Sequence, residues 1–92
     1  MYRKDLIPIL LGHAYSITDL ARLLGESPKG VEQDLLHVIK SLRRMPYRTV
    51  IVPARCRHCG FTFGEDKLRK PGKCPKCKST WIHEPLISIK EL

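Results

Sequence analysis

The chain has 92 residues and a formal net charge of +8, enough for one small domain or two halves that share a core. Its apolar run from Leu6 to Leu11 is shorter than the core of a signal peptide, and no stretch approaches the length of a membrane span. We therefore expect a cytoplasmic protein that has no membrane partner.

The first predicted helix runs from Leu6 to Leu11, with Asp5 as its N-cap and Gly12 at its end. Pro8 is tolerated there because the first N–H groups of a helix have no partner inside it. The remaining residues of this segment are uniformly apolar, so we expect the helix to be largely buried.

Two further helices follow, and a short turn joins them. Ser16 and Asp19 are placed to form the capping box of the second helix, and Gly25 is placed to end it. Ser27 is the predicted N-cap of a third helix that runs from Pro28 to about Arg44. A capped helix, a turn that contains glycine and a longer helix are typical of a helix-turn-helix.

The third helix has an apolar face and a polar face. The apolar side chains recur at helical spacing, at Val31, Leu35, Val38, Ile39 and Leu42. The opposite face holds Lys29, Gln33, His37, Lys40 and Arg44. The first three of these are predicted to contact base edges, and Lys40, Arg43 and Arg44 to contact phosphates. A solvated helix face is the alternative interpretation.

The residues after the third helix are predicted to form strands. Arg48–Pro53 is rich in β-branched residues and forms the first candidate strand. Ser79–His83 is the second candidate, whereas Leu86–Ile89 alternates less clearly, and Pro85 indicates a sheet edge or a bulge. We expect an antiparallel ribbon against the helices, with the cysteine segment as an excursion from its tip.

All four cysteines lie in two C-x2-C pairs, Cys56 with Cys59 and Cys74 with Cys77. Fourteen residues separate the first pair from the second. Each pair can bind one side of a tetrahedral ion. Four thiolates form a donor set that suits Zn²⁺ and iron. Disulfides between the pairs are the alternative, but nothing in the sequence indicates an oxidising compartment. We therefore predict a structural zinc site.

The predicted ligand set is closed. His58 and His83 are not needed as ligands because four cysteines complete a tetrahedral site. The metal then has no open position for catalysis, and the sequence offers no pairing of a nucleophile with a base, so we expect no enzyme. Phe61, Phe63 and Trp81 are expected to form a small core around the cluster, with stacking on unpaired bases as the alternative.

Positive charge is concentrated in the second half of the chain. Between Arg43 and Lys78, eleven basic residues face only Glu65 and Asp66, and four thiolates on one divalent ion would offset about two of these charges. This excess predicts a polyanionic partner, double-stranded DNA first, and a solvated basic face is the alternative. The predicted contacts outside the third helix are Arg48, Arg69 and Lys70.

Three stretches carry a resemblance to known proteins. Ser16–Gly25 resembles the first two elements of a winged helix-turn-helix regulator, and Pro53–Phe61 and Cys74–Ser79 resemble rubredoxin-type zinc ribbon knuckles. In this order and at this length, the chain resembles a family of small archaeal predicted transcriptional regulators. In that family a winged helix-turn-helix is fused to a rubredoxin-like zinc ribbon.

The resemblance implies an α+β fold in which a zinc ribbon is inserted at the wing of a three-helix winged helix-turn-helix. We expect three parts: residues 1–53 are the helix-turn-helix with the first strand, residues 54–79 are the ribbon, and residues 80–92 are the return strand that packs on the helix-turn-helix. The resemblance also implies DNA binding by the third helix and structural zinc at Cys56, Cys59, Cys74 and Cys77. Rubredoxin-type knuckles carry glycine after the second cysteine, and here Lys78 follows Cys77.

A DNA-binding transcriptional regulator is therefore the leading prediction. One alternative is a zinc-ribbon adaptor that binds a protein or RNA partner. Another is a rubredoxin-like electron-transfer protein that holds iron, which Lys78 and the helical half disfavour. A homodimer is also considered, because helix-turn-helix proteins often bind paired half-sites.

Overall fold

In the computed structural model, which describes residues 6–65 and 68–92, three helices precede two small antiparallel sheets. The elements are α1 (Leu6–Leu10), α2 (Ile17–Leu24), α3 (Pro28–Leu42), β1 (Tyr47–Val52), β2 (Arg55–Cys56), β3 (Ile82–His83) and β4 (Leu86–Glu91). The expected α+β class is confirmed. Asp5, the predicted cap of the first helix, lies outside the described residues. No helix in the described ranges has the length and apolar character needed to cross a bilayer.

The predicted caps of α2 and α3 are present in the structure. The Ser16 hydroxyl accepts a hydrogen bond from the Asp19 amide at 3.1 Å, and the Asp19 carboxylate accepts one from the Ser16 amide at 3.5 Å. Gly25 takes a left-handed conformation with φ of 67°, and the Ser27 hydroxyl accepts a hydrogen bond from the Gly30 amide at 3.1 Å. These caps satisfy backbone groups that a helix end leaves without partners.

Two helices end earlier than predicted. The third helix stops at Leu42 rather than Arg44, because the amides of Arg43 and Arg44 bond to carbonyls three residues back and tighten the last turn. The first helix stops at Leu10 because Leu11 leaves it and forms a bridge to Ile89.

One face of each helix packs into a shared core. Its buried helical residues are Leu6, Leu10, Ile17, Leu20, Ala21, Val31, Leu35, Val38 and Leu42. This set confirms the predicted apolar face of α3, except that Ile39 is only partly buried. The core is completed by Ile87 and Ile89, which alternate with the more exposed Ser88 and Lys90 along β4.

The strand partners differ from the prediction. β4 is the long return strand and pairs with all of β1, from Tyr47 opposite Glu91 to Val52 opposite Leu86. The predicted Ser79–His83 strand is reduced to β3, which pairs only with β2. Pro85 lies between β3 and β4 and separates the two sheets, because a proline offers no N–H for a ladder.

An extended connection between α1 and α2 also joins the larger sheet. The amide of Tyr15 donates to the Ile87 carbonyl at 3.0 Å, and the Ile87 amide donates to the Tyr15 carbonyl at 2.8 Å. Leu11 bridges Ile89 in the parallel sense. This edge of the sheet was not predicted from the sequence. β4 lies between β1 and the connection from α1 to α2, because it is bonded to both.

Leu68 anchors the ribbon to the helices. It belongs to the segment between the cysteine pairs, yet it is 4% exposed and packs in the same core as Val31 and Leu35. Beside it, the Arg69 Nε atom lies 3.2 Å from the Glu32 carboxylate on α3. In the sequence, Leu68 is the one large apolar residue of the basic stretch 67–73, and this is the signal from which its burial could have been expected.

We expect Leu68→Ala to lower the free energy of unfolding of the zinc-loaded protein by about 2–4 kcal/mol, because it leaves a cavity between ribbon and helices. Urea denaturation followed by far-ultraviolet circular dichroism measures this change. Leu92→Ala is the control, because Leu92 is 84% exposed and its truncation is expected to change little. Equal denaturation midpoints for the two variants would show that Leu68 does not anchor the ribbon.

Candidate metal centre

The four predicted metal ligands converge on one point. The sulfur atoms of Cys56, Cys59, Cys74 and Cys77 all lie within 4.8 Å of one another. The Cys56 and Cys77 sulfurs are 3.5 Å apart, and those of Cys59 and Cys74 are 3.6 Å apart. A tetrahedron with Zn–S bonds of about 2.3 Å places its sulfurs about 3.8 Å apart. The donor set and its dimensions therefore fit zinc.

The alternative of disulfides between the pairs does not hold in this structure. All four cysteines lie in the described part of the chain, and all four are free thiols. A disulfide bond is only about 2.0 Å long, far shorter than the separations across the site. The pairs therefore form a binding site rather than a crosslink.

The first cysteine pair is held in a tight backbone turn. The Cys56 amide donates to the Phe61 carbonyl at 2.8 Å, and the Gly60 amide donates to the Cys56 carbonyl at 3.0 Å. Gly60 takes a φ of 82°, a conformation that glycine adopts without steric cost. β2 carries Cys56 and pairs it with Ile82 on β3, which fixes this turn against the smaller sheet.

The second pair repeats the same turn. The Cys74 amide donates to the Ser79 carbonyl at 2.9 Å, and the Lys78 amide donates to the Cys74 carbonyl at 2.9 Å. Lys78 takes a φ of 63°, which makes it the one residue other than glycine with positive φ in the described ranges. The departure from a glycine at this position therefore changes the side chain but not the path of the backbone.

Backbone amides and neighbouring sulfurs set the protonation of the thiols in opposite ways. The amides of Cys59 and His58 lower the pKa of Cys56 to about 6, against the effect of burial. Burial acts to raise the pKa of Cys74, but the amides of Cys77 and Lys76 lower it overall. The pKa of Cys77 is raised to about 12, because burial and three nearby sulfurs outweigh the Ser79 amide. Crowded thiolates repel one another, and a divalent cation removes that repulsion.

The environment of the site is partly as predicted. Phe61 and Phe63 are half-buried and contact each other edge to face, with ring centroids 5.1 Å apart. The prediction that Trp81 joins them is wrong, because Trp81 is 62% exposed. Ile82 takes the inward position instead, since neighbouring residues of a strand point to opposite faces.

Both histidines near the site lie outside the group of ligands. The metal-binding group in the described ranges consists of the four cysteines alone. His58 is exposed on the first turn, and the Nδ1 atom of His83 lies 2.8 Å from the Glu84 carbonyl. A closed set of four thiolates has no open position for a substrate, so the centre is suited to a structural role.

We expect Lys78→Gly to stabilise the protein by about 0.5–1 kcal/mol, because a left-handed conformation is costly for a residue with a side chain. Thermal unfolding of the zinc-loaded protein should show a midpoint about 2–8 °C higher. Gly60→Ala is the matched reverse change and should lower the midpoint. A lower midpoint for Lys78→Gly would mean that the lysine side chain, rather than its backbone, matters here.

The residues predicted to contact nucleic acid fall into two groups. All of them are exposed: Lys29, Gln33, His37 and Lys40 along α3, Arg43, Arg44 and Arg48 after it, and Arg69 and Lys70 on the ribbon. Arg69 pairs with Glu32 on the flank of α3, which places the ribbon group beside the N-terminal half of that helix. Their contacts with nucleic acid stay predictions.

Fold and site together define a zinc ribbon attached to a three-helix domain. A family model described as the PF0610 rubredoxin-like zinc beta-ribbon domain matches residues 53–91. The solution NMR structure of protein PF0610 from Pyrococcus furiosus is 38% identical, with a TM-score of 0.78 over 97% of this chain and 88% of that chain. None of the curated proteins matches the sequence. The chain belongs to the PF0610 family of rubredoxin-like zinc ribbon proteins.

Proposed function

We propose that this protein is a DNA-binding transcriptional regulator of the winged helix-turn-helix type. In this proposal α3 enters the major groove of duplex DNA, and the zinc ribbon serves as a rigid basic wing. The observation that carries the proposal is the polar face of α3, from Lys29 to Lys40. This face is exposed along its length, while the opposite face of the helix lies in the core.

The connection between α2 and α3 supports the proposal. Only residues 25–27 separate the two helices, Gly25 turns the chain, and Ser27 caps the helix that follows. A turn of this length, with glycine in it, joins the two helices of a helix-turn-helix, and the second helix then contacts the bases. Both helices share the core, so α3 would be presented as a rigid element.

Side-chain chemistry on α3 supports contacts of two kinds. Gln33 can make paired hydrogen bonds to adenine, and Lys29 and His37 can donate to base edges. Lys40 and the arginines that follow α3 offer charge to phosphates, which positions a helix without specifying sequence. The net charge of +8 favours association with a polyanion in the same way.

The ribbon would act in this proposal as the wing. It leaves the larger sheet after β1 and returns in β4, so it extends from the tip of an antiparallel pair. Arg48 on β1 and Lys70 on the ribbon loop would then contact the phosphate backbone on either side of α3. Zinc bound at the four cysteines would supply folding free energy to this wing, and we propose no enzymatic activity for the centre.

Binding to duplex DNA at a series of salt concentrations tests the proposal, with the zinc content of the same sample measured. We expect one bound zinc and an affinity that falls steeply with salt. A zinc-loaded protein that does not bind duplex DNA at low salt would exclude the proposal, and the adaptor alternative would take its place. A homodimer stays a prediction, and binding stoichiometry on a duplex with two half-sites would test it.

A further inference from the structure

A groove beside Trp81 lies apart from the polar face of α3 and adjoins the first turn of the metal centre, where Cys56 and Gly60 line it. Its walls include Val52, Pro53, Arg55, Arg57 and Trp81. Trp81 is 62% exposed and Val52 is 49% exposed, so a large aromatic side chain and an aliphatic one face solvent together with two guanidinium groups. Exposed tryptophan is uncommon in a small domain, and here it is the single tryptophan of the chain.

This groove continues along the boundary between ribbon and helices. Arg57 and His83 also line a second cleft, which reaches Arg22 on α2 and Lys70 on the ribbon loop. Thr18 and Lys70 line both this second cleft and a third cleft, which extends to Pro28 at the start of α3. The three clefts share walls and form one continuous surface, which we call the seam.

The charges along the seam favour an anionic ligand. The carboxylates that line it have partners: Glu32 with Arg69, Asp19 with Ser16, and Glu84 with the Thr18 hydroxyl. Arg22, Arg55, Arg57 and Lys70 form no ion pair with a carboxylate in residues 6–65 and 68–92. Five basic side chains and three carboxylates line the seam, so it keeps a net positive charge of two that is available to a ligand.

Single-stranded nucleic acid offers the two groups that this surface requires. Its bases present an aromatic face once they are unpaired, and its phosphates repeat along the chain. A base inside a duplex is covered on both faces by its neighbours and cannot stack on a protein side chain. We infer that the groove binds single-stranded nucleic acid, with an unpaired base stacked on Trp81 and adjacent phosphates on Arg55 and Arg57. This inference is independent of duplex binding by α3.

Fluorescence of Trp81 tests the inference directly, because every change in tryptophan emission arises at this groove. The zinc-loaded protein is titrated at low salt with an oligothymidylate of about 15 nucleotides. We expect saturable quenching.

Trp81→Ala should weaken binding of a labelled oligonucleotide by roughly 5- to 150-fold, and Trp81→Phe should retain most of the affinity. Arg57→Gln should weaken binding and lower the salt slope by about one.

Lys90→Gln is the control, because it removes one exposed positive charge on β4, outside both the groove and the predicted duplex contacts, and it should leave the oligonucleotide affinity unchanged. Absence of quenching, or equal affinities for Trp81→Ala and the unmodified protein, would overturn the inference. Equal quenching by polyglutamate of similar charge would also overturn it in favour of an acidic protein partner. Equal quenching by a duplex of the same length would make Trp81 part of a duplex-binding surface instead.

Discussion

Replacement of Cys74 by serine is expected to release zinc and unfold the ribbon while most of the helical core stays folded. Cys74 is fully buried, and its sulfur lies 3.6 Å from that of Cys59. Structural zinc contributes about 10–16 kcal/mol to folding in small domains, so the loss of one ligand in four costs roughly 2.5–4 kcal/mol. Zinc affinity should then fall roughly 100- to 1,000-fold.

Zinc content by mass spectrometry and amide hydrogen exchange measure the two parts of this effect. Exchange should accelerate across residues 54–83, because the local backbone hydrogen bonds depend on the two turns around the metal. Residues of α2 and α3 should keep slower exchange, since their core needs only Leu68 from the ribbon. A strong chelator added to the unmodified protein should reproduce the same pattern.

His58→Ala is the control for this prediction. His58 lies in the first turn between two ligands but is exposed and outside the group of ligands, so this variant should bind zinc normally. Two results would contradict the assignment of the site. One is a Cys74→Ser variant with unchanged zinc affinity and exchange, and the other is loss of zinc in His58→Ala.

Charge reversal on α3 is expected to have the second large effect. The double variant with Lys40→Glu and Arg44→Glu should bind duplex DNA about 100-fold more weakly at 0.1 M salt, because two of the proposed phosphate contacts and their counterion release would be lost. The slope of log affinity against log salt should become less negative by about two. Both side chains are exposed, so the fold should not change.

The control carries the same change in net charge at another place. Arg55→Glu with Arg57→Glu also reverses two exposed basic side chains, but these line the seam rather than α3. We expect this control to keep most of the duplex affinity and to lose affinity for single strands. Equal loss of duplex affinity in both double variants would mean that net charge, rather than α3, governs binding.

Local signals in the sequence were sufficient for the helices and the metal site. Ser16 with Asp19, and Ser27 with Pro28, are caps whose effects are confined to one turn, and the structure contains both. The cysteine spacing similarly determines two local turns, and the four sulfurs meet as predicted. Features of this kind are predictable because the residues that interact are close in the chain.

Features that depend on distant partners were not predictable in the same way. Leu68 is an apolar residue in a basic segment, and its burial follows from the path of the ribbon back to α2 and α3. The bridge of Tyr15 to Ile87 involves segments far apart in the sequence. Trp81 is exposed because the next residue, Ile82, points inward. Ile82 belongs to β3, a strand of only two residues, and its orientation is set by the pairing of β3 with β2.

The salt dependence of duplex binding by the unmodified, zinc-loaded protein tests the central claim most directly. Six basic side chains are predicted to contact phosphates: Lys40, Arg43, Arg44, Arg48, Arg69 and Lys70. If all six release counterions, log affinity should fall against log salt with a slope of roughly −5. No measurable duplex binding at low salt, or a slope near zero, would contradict the account.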